Sequence, residues 1–197
     1  MVEETFLIAG LGNPGPNYEE TRHNVGFLLV DELARRQGVR LDSGKWDGLF
    51  CRASFWGARV FLVKPQTFMN LSGRTVARFT DFFKVPVDHL LVIHDDLDMH
   101  PGRLKLVSGG GAGGHNGIRS LIQCLGSKEF YRLKYGIGKP GQNNVHAEIP
   151  VEKYVLTPFS QDEKALLEKR VAIVLEGIEI FVKSGGQQAM NVLNVVK

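Results

Sequence analysis

Short apolar runs that stop at glycine or polar residues recur along this chain, and between them apolar residues return at helical spacing. Residues 5–11 (TFLIAGL) form such a run, closed by Gly12, Pro14 and Gly15. Val25, Leu29 and Leu33 then repeat at the helical period, with Gly38 as a stop. Residues 49–55 and 59–63 read as two strands turning at Trp56-Gly57. Residues 70–83 read as an amphipathic helix carrying Val76, Phe79 and Phe83. Further strands are expected over 90–93, 103–107 and 131–137, and a glycine-rich stretch at 108–117 leads into a helix ending near Leu125. Residues 139–159, with three prolines and little periodicity, predict a long connection. Ser160-Gln161-Asp162-Glu163 is a capping-box pattern opening the longest helix, whose apolar face is Leu167, Val171, Val174, Leu175, Ile178 and Val182. A short amphipathic tail, 187–195, follows. With no repeat and no linker, strands alternating with helices predict one α/β domain over residues 1–197. The expected architecture is a three-layer fold, a twisted mixed and largely parallel sheet with helices on both faces.

A chain of 197 residues, 43% of them hydrophobic, buries enough surface to need no covalent staple. Cys51 and Cys124 show no ligand-like spacing and are expected as buried thiols in a reducing compartment. The start, Met1-Val2-Glu3-Glu4, lacks the basic opening of a secretory signal, and no run approaches the roughly 18 apolar residues of a membrane span. A cytoplasmic protein with no membrane partner is expected. Charge is unevenly distributed. Residues 103–139 hold seven basic residues (Arg103, Lys105, Arg119, Lys128, Arg132, Lys134, Lys139) against Glu129 alone. That local excess suggests a polyanionic partner, although a solvated basic surface reads the same way.

In α/β sheets, reactive groups collect in loops beyond the carboxyl ends of strands. Three polar clusters fall at such ends, 12–24, 94–100 and 109–116, and a fourth, Phe68-Met69-Asn70, precedes a helix. Gly10-Leu11-Gly12-Asn13-Pro14-Gly15 formally matches a dinucleotide fingerprint. Pro14, Pro16 and a further stretch separate it from the helix, however, and no acidic residue stands at a strand end about 20 positions on. Thr21-Arg22-His23-Asn24 opens the helix, with Asn24 or Thr21 as its expected cap. A lone histidine there is usually a surface residue. The carboxylates of His94-Asp95-Asp96-Leu97-Asp98-Met99-His100 offer it a partner that would fix its tautomer. The same segment invites a metal reading, which alternation along an extended chain opposes. The glycine loop 109–117 lacks the Lys-Ser/Thr of a phosphate-binding Walker loop, but its amides could hold an anion or oxyanion. No GxSxG and no evident nucleophilic cysteine is present. A His–Asp pair without a nucleophile points to water activated by histidine.

Taken in order, GLGNPGPNYEETRHNVG, KPQTFMNLSG, HDDLDMHPGRLKL and GGHNG closely resemble bacterial-type peptidyl-tRNA hydrolase, from about Phe6 to Gly138 and more weakly beyond. The resemblance implies a monomeric α/β hydrolase, without cofactor or metal, that cuts the ester between a peptide and the tRNA 3′ end. It implies His23 as general base, Asp95 as the group that holds its ring, and Asn13 as a discriminator of blocked from free aminoacyl-tRNA. Tyr18, Phe68, Asn70 and Asn116 would line the site, with Met69 and His115 nearby. Paired basic residues hold the tRNA 5′-phosphate in the family. Lys134 matches one of them; Val107 stands at the place of the other, with Lys105 two residues away. An RNA-binding protein on the same fold that has lost catalysis is the alternative from a different class.

Overall fold

The computed structural model describes residues 3–141 and 149–196. Its centre is one seven-stranded sheet, in the spatial order β2-β3-β4-β1-β5-β7-β6. The strands are β1 (Thr5–Gly10), β2 (Ser43–Lys45), β3 (Gly48–Phe55), β4 (Ala58–Pro65), β5 (Leu90–Asp96), β6 (Leu104–Ser108) and β7 (Tyr131–Gly136). The four inner strands, β4, β1, β5 and β7, run parallel, and the outer pairs are antiparallel. This is the mixed, largely parallel sheet expected.

Side chains alternate across that sheet and define two cores. Phe6, Ile8, Leu91 and Ile93 face one side, where α1 (Val25–Arg36), α5 (Gln161–Ser184) and α6 (Gly186–Leu193) pack. Leu7, Ala9, Leu90 and Val92 face the other, under α2 (Ser72–Phe83) and α3 (Asn116–Leu125). Three layers result, with helices on both faces. Glycines set how closely α1 approaches. A Cβ on Gly26 would lie 2.3 Å from the Ile93 carbonyl oxygen and 2.4 Å from the Leu11 nitrogen, and one on Gly10 would lie 2.2 Å from the Gly26 oxygen. Gly12 likewise faces the Phe27 ring, at 2.7 Å from the Cβ it lacks. Gly10 and Gly12, two of the three glycines that mimic a dinucleotide fingerprint, thus serve the packing of α1, which begins only at Val25, whereas Gly15 sits at positive φ with nothing packed against it.

Several expectations need correction. Cys51 is buried, but Cys124 is exposed, since it lies near the end of α3 on the side away from the sheet. Asn24 and Thr21 make no side-chain cap on the helical segment they precede. Thr21 Oγ1 instead donates to the Tyr18 carbonyl, and Asn24 is committed to Asn13. The helix expected over 70–83 begins with a 3-10 turn, Met69–Leu71, and becomes regular at Ser72. The connection 139–159 falls partly outside the described residues; within it, α4 (Val151–Tyr154) forms one short helical turn. The capping box of α5 is present as read, with Ser160 and Glu163 bonded reciprocally.

Candidate active site

β1 and β5 are parallel neighbours with Gly10 opposite Ile93; β1 leaves the sheet there, while β5 runs on beside β7 to Asp96. The Leu11 N–H donates to the Ile93 carbonyl at 3.0 Å and extends the pairing by one residue. From the end of β5, Asp95 projects into a buried position, 2% exposed. One oxygen of its carboxylate, Oδ1, meets two imidazoles: His23 Nδ1 at 2.9 Å and His115 Nε2 at 3.0 Å. The His23 and His115 rings lie 5.0 Å apart, centre to centre. Residues from three separate polar clusters of the sequence therefore converge on one oxygen.

The protons of this trio follow from the surrounding donors. His115 precedes α3, and its Nδ1 accepts the N–H groups of Gly117 (3.1 Å) and Ile118 (3.3 Å), capping the helix with a ring. A nitrogen that accepts carries no proton, so His115 must donate to Asp95 through Nε2–H. Asp95, an acceptor when ionised, likewise takes the Nδ1–H of His23. The Nε2 lone pair of His23 is then left without a partner among the described residues, on a side chain 12% exposed. Burial pushes the Asp95 carboxyl up, but His23 and His115 outweigh it and hold it well below the usual carboxylate range. His94 is buried on the same strand; its Nδ1 donates to the Asp95 carbonyl at 2.7 Å, and its ring stands edge-on to His115 at 4.7 Å. Burial, reinforced by His115, pushes His94 well below the ordinary imidazole value and keeps it neutral.

Asn13 is fixed from two sides. Its N–H donates to Asn24 Oδ1 (2.8 Å), and its carbonyl accepts Asn24 Nδ2 (2.9 Å). Its own Oδ1 accepts the Met69 N–H at 2.8 Å, which orients the amide and leaves the NH2 as the group it can offer a ligand. Met69 is buried beside Gly117: its sulfur lies 2.6 Å from where a Gly117 Cβ would stand, and His115 Cε1 lies 3.1 Å from the same point. The Asn13–Met69 pair and the His115–Asp95–His23 trio thus meet at Gly117. Around it, Tyr18 and the exposed Phe68 meet edge to face at 6.5 Å, and Asn70 and Asn116 are exposed. Asn116 accepts from Arg119 at 3.1 Å.

The basic residues sit to one side. Lys105 and Lys134 are directly opposed across β6 and β7, and Val107 opposes Arg132. Lys105 is exposed, about 10 Å from β5 at two strand spacings. Lys134 is paired with Asp96 at 2.6 Å, Lys139 is paired with Asp98, and buried Arg132 donates to the Gly111 carbonyl at 2.8 Å. Two of the seven basic residues of this segment are therefore paired with carboxylates that follow β5 or end it.

Three ligating atoms, from His23, Asp95 and His115, lie within 4.8 Å of one another, the one grouping among the described residues suited to an ion. It is not drawn from residues 94–100 alone, as a metal reading of that segment would require. Ligation by His115 Nε2 would move its proton to Nδ1, against the two backbone N–H groups already pointing there. The donor set fits protons better than a cation. Arg22, Asn24 and His94 were not singled out from sequence as site residues. Asn24 reads as a helix cap and His94 as a landmark, and nothing local in the sequence reveals their long-range partners.

The family model of peptidyl-tRNA hydrolase matches residues 7–197. A peptidyl-tRNA hydrolase of Desulfotalea psychrophila is 46% identical over 192 residues, 98% of each chain. One of Geobacillus kaustophilus is 46% identical over 188 residues, 95% of this chain and 98% of its own. The crystal structure of peptidyl-tRNA hydrolase from Acinetobacter baumannii superposes with a TM-score of 0.90 at 38% identity, covering 98% of this chain and 96% of that one. Motif order, fold and convergent site agree with these likenesses, and the chain belongs to the peptidyl-tRNA hydrolase family.

Proposed function

We propose that this protein hydrolyses the ester joining a peptide, or an N-blocked aminoacyl group, to the 3′ end of tRNA, with water as the nucleophile and His23 as the base. The observation that carries the reading is the shared Asp95 oxygen, which leaves the Nε2 lone pair of His23 free. Nε2 takes a proton from water as the oxygen attacks the ester carbonyl. The imidazolium that forms keeps its Nδ1–H on Asp95, whose negative charge stabilises it. The same proton is then available to the departing 3′ oxygen. An ester is reactive enough for a positioned base and oxyanion donors to suffice, each contributing on the order of 10²–10⁴-fold and 10²–10³-fold respectively.

Asn13 supplies selectivity in this scheme. With Oδ1 engaged by Met69, its NH2 suits a carbonyl oxygen such as that of a peptide or N-acyl group. A free α-ammonium has only donors and would face a donor, at a cost of about 1–3 kcal/mol for the unpaired group. Tyr18, Phe68, Met69, Asn70 and Asn116 line the approach for peptide and CCA end. His115 holds Asp95, and Lys105 and Lys134 attract the tRNA backbone. The reading further takes the protein as a single-domain, cytoplasmic monomer needing no cofactor or metal.

The test is hydrolysis of N-acetyl-aminoacyl-tRNA beside its unblocked counterpart, in excess chelator, with His23→Ala as control. Release from the blocked substrate alone, unchanged by chelator and lost in the variant, is expected. Wild-type protein that binds tRNA without releasing the acyl group contradicts the enzyme reading, and loss of activity in chelator contradicts the metal-free one.

A further inference from the structure

A buried cation adjoins His23 in the chain, and the reaction proposed above makes no use of it. Arg22 is 7% exposed. Its guanidinium forks onto the Glu163 carboxylate, Nε to Oε1 at 2.9 Å and Nη2 to Oε2 at 2.6 Å, across 141 residues of sequence. Nη1 donates to the Thr157 carbonyl at 3.2 Å and to its hydroxyl, and the guanidinium carbon lies 4.5 Å from the centre of the Tyr154 ring. Tyr154 is itself anchored, its hydroxyl donating to the Ile137 carbonyl at 2.6 Å. Arg22 uses all three nitrogens and one face of its plane on groups that belong to the scaffold.

Those groups also hold the main chain of His23. The N–H of Arg22 donates to the Thr157 carbonyl at 3.1 Å and that of His23 to the Val155 carbonyl at 2.8 Å, while the Phe159 N–H donates back to Glu20 at 3.1 Å. Residues 20–23 and 155–159 form a small two-way ladder, locked at one end by the Arg22 fork. Glu163 has a second duty, because its Oε2 also accepts the Ser160 N–H in the capping box of α5. The start of the longest helix is thereby tied to the loop that carries the base.

We infer that Arg22, acting with Glu163, is a positioning residue for the reaction: it fixes the backbone of His23 while Asp95 fixes the ring, so that Nε2 keeps one aim. The inference rests on the hydrolase reading. A charged fork suits the task, since its two parallel bonds define a direction as well as a distance. A lysine or a neutral partner would retain attraction but lose that direction.

Two variants test it. Arg22→Lys keeps the charge and loses the fork; Glu163→Gln keeps the acceptor for Ser160 and loses the ion pair. Both are compared with wild type by circular dichroism at the assay temperature, by kcat and KM on N-acetyl-aminoacyl-tRNA, and by the 15N signals of the His23 ring. A misaimed base lowers kcat about tenfold to a hundredfold, with KM little changed and the His23 ring signals displaced. Variants that melt earlier yet keep wild-type kcat and His23 signals overturn the inference, because Arg22 then serves stability alone. Should Arg22→Lys not fold, Glu163→Gln decides by the same readouts. Should wild type itself fail to cleave the ester, the hydrolase reading falls separately. The ring signals then still decide whether Arg22 aims His23.

Discussion

Asp95 Oδ1 accepts from two imidazoles at once, and the second of them has its own proton placed by the helix it caps. Each residue in this arrangement constrains the next, so single substitutions have directional consequences. Asp95→Asn preserves shape but removes the charge that stabilises an imidazolium. It should lower kcat on the order of 10²–10⁴-fold in single-turnover hydrolysis. His94 makes a prediction about pH. Its folded-state value lies below the ordinary 6.5 because of burial and then His115, against opposing help from Asp95, with Lys134 a further disfavouring neighbour. Below pH 6.5 the unfolded chain therefore binds a proton the folded protein refuses. The stability linked to His94 is complete above that value and declines as pH falls. The corresponding loss for Asp95 lies lower, beneath the ordinary carboxylate value of 3.8. His94→Asn keeps a donor for the Asp95 carbonyl and removes the titration. Its melting temperature should fall less steeply than that of wild type between pH 6.5 and about 5. Equal slopes would show that His94 does not titrate on unfolding.

At the scale of elements, close approach explains how His23 reaches Asp95. α1 rests on the β1–β5 seam because Gly26 and Gly10 have no side chains, and the turn carrying His23 is the immediate start of that helix. A methyl group at Gly26 meets backbone atoms, which cannot swing aside. Gly26→Ala should cost about 1–3 kcal/mol or more in urea unfolding and lower activity as well. Gly111→Ala, in open space, should stay within about 0.5 kcal/mol. Strands and helices with strong apolar periodicity were legible in the sequence, because β1, α1, α2, β5 and α5 each bury one clear face or run. β2 was not: Ser43, Gly44 and Lys45 have no apolar alternation, and its turn uses Trp46 and Asp47 at positive φ, which no residue signal announces. The capping of α3 by the His115 ring has no sequence signal for a similar reason, since serine, threonine, asparagine and aspartate are the residues that usually mark a helix start. Asn24 looked like such a cap and instead holds Asn13, a partner 11 residues away that only the fold supplies.

Across the whole molecule, strand order divides the surface. Lys105 and Lys134 lie on the β7–β6 side of the trio, whereas Phe68 extends from the end of β4 on the other. The sequence placed the basic residues in one segment, but their position relative to the site depended on β6 being the outer strand, which periodicity does not reveal. On the proposed reading, the tRNA body lies on the β6 side and the peptide on the β4 side. Lys105→Ala should raise KM without changing kcat, and reduce the salt slope of log(kcat/KM) by about 1 if its ammonium meets a phosphate. An unchanged slope would move the tRNA contact elsewhere. On the proposed mechanism, water activated at His23 cleaves the acyl–oxygen bond of the ester. Single-turnover hydrolysis of N-acetyl-aminoacyl-tRNA in 18O-water, with wild type and His23→Ala, tests it most directly. The expected products carry one 18O in the released carboxylate and none in the tRNA 3′ hydroxyl, and the variant reacts on the order of 10²–10⁴-fold more slowly. Label in the tRNA hydroxyl, or a variant that cleaves at the wild-type rate, would contradict it.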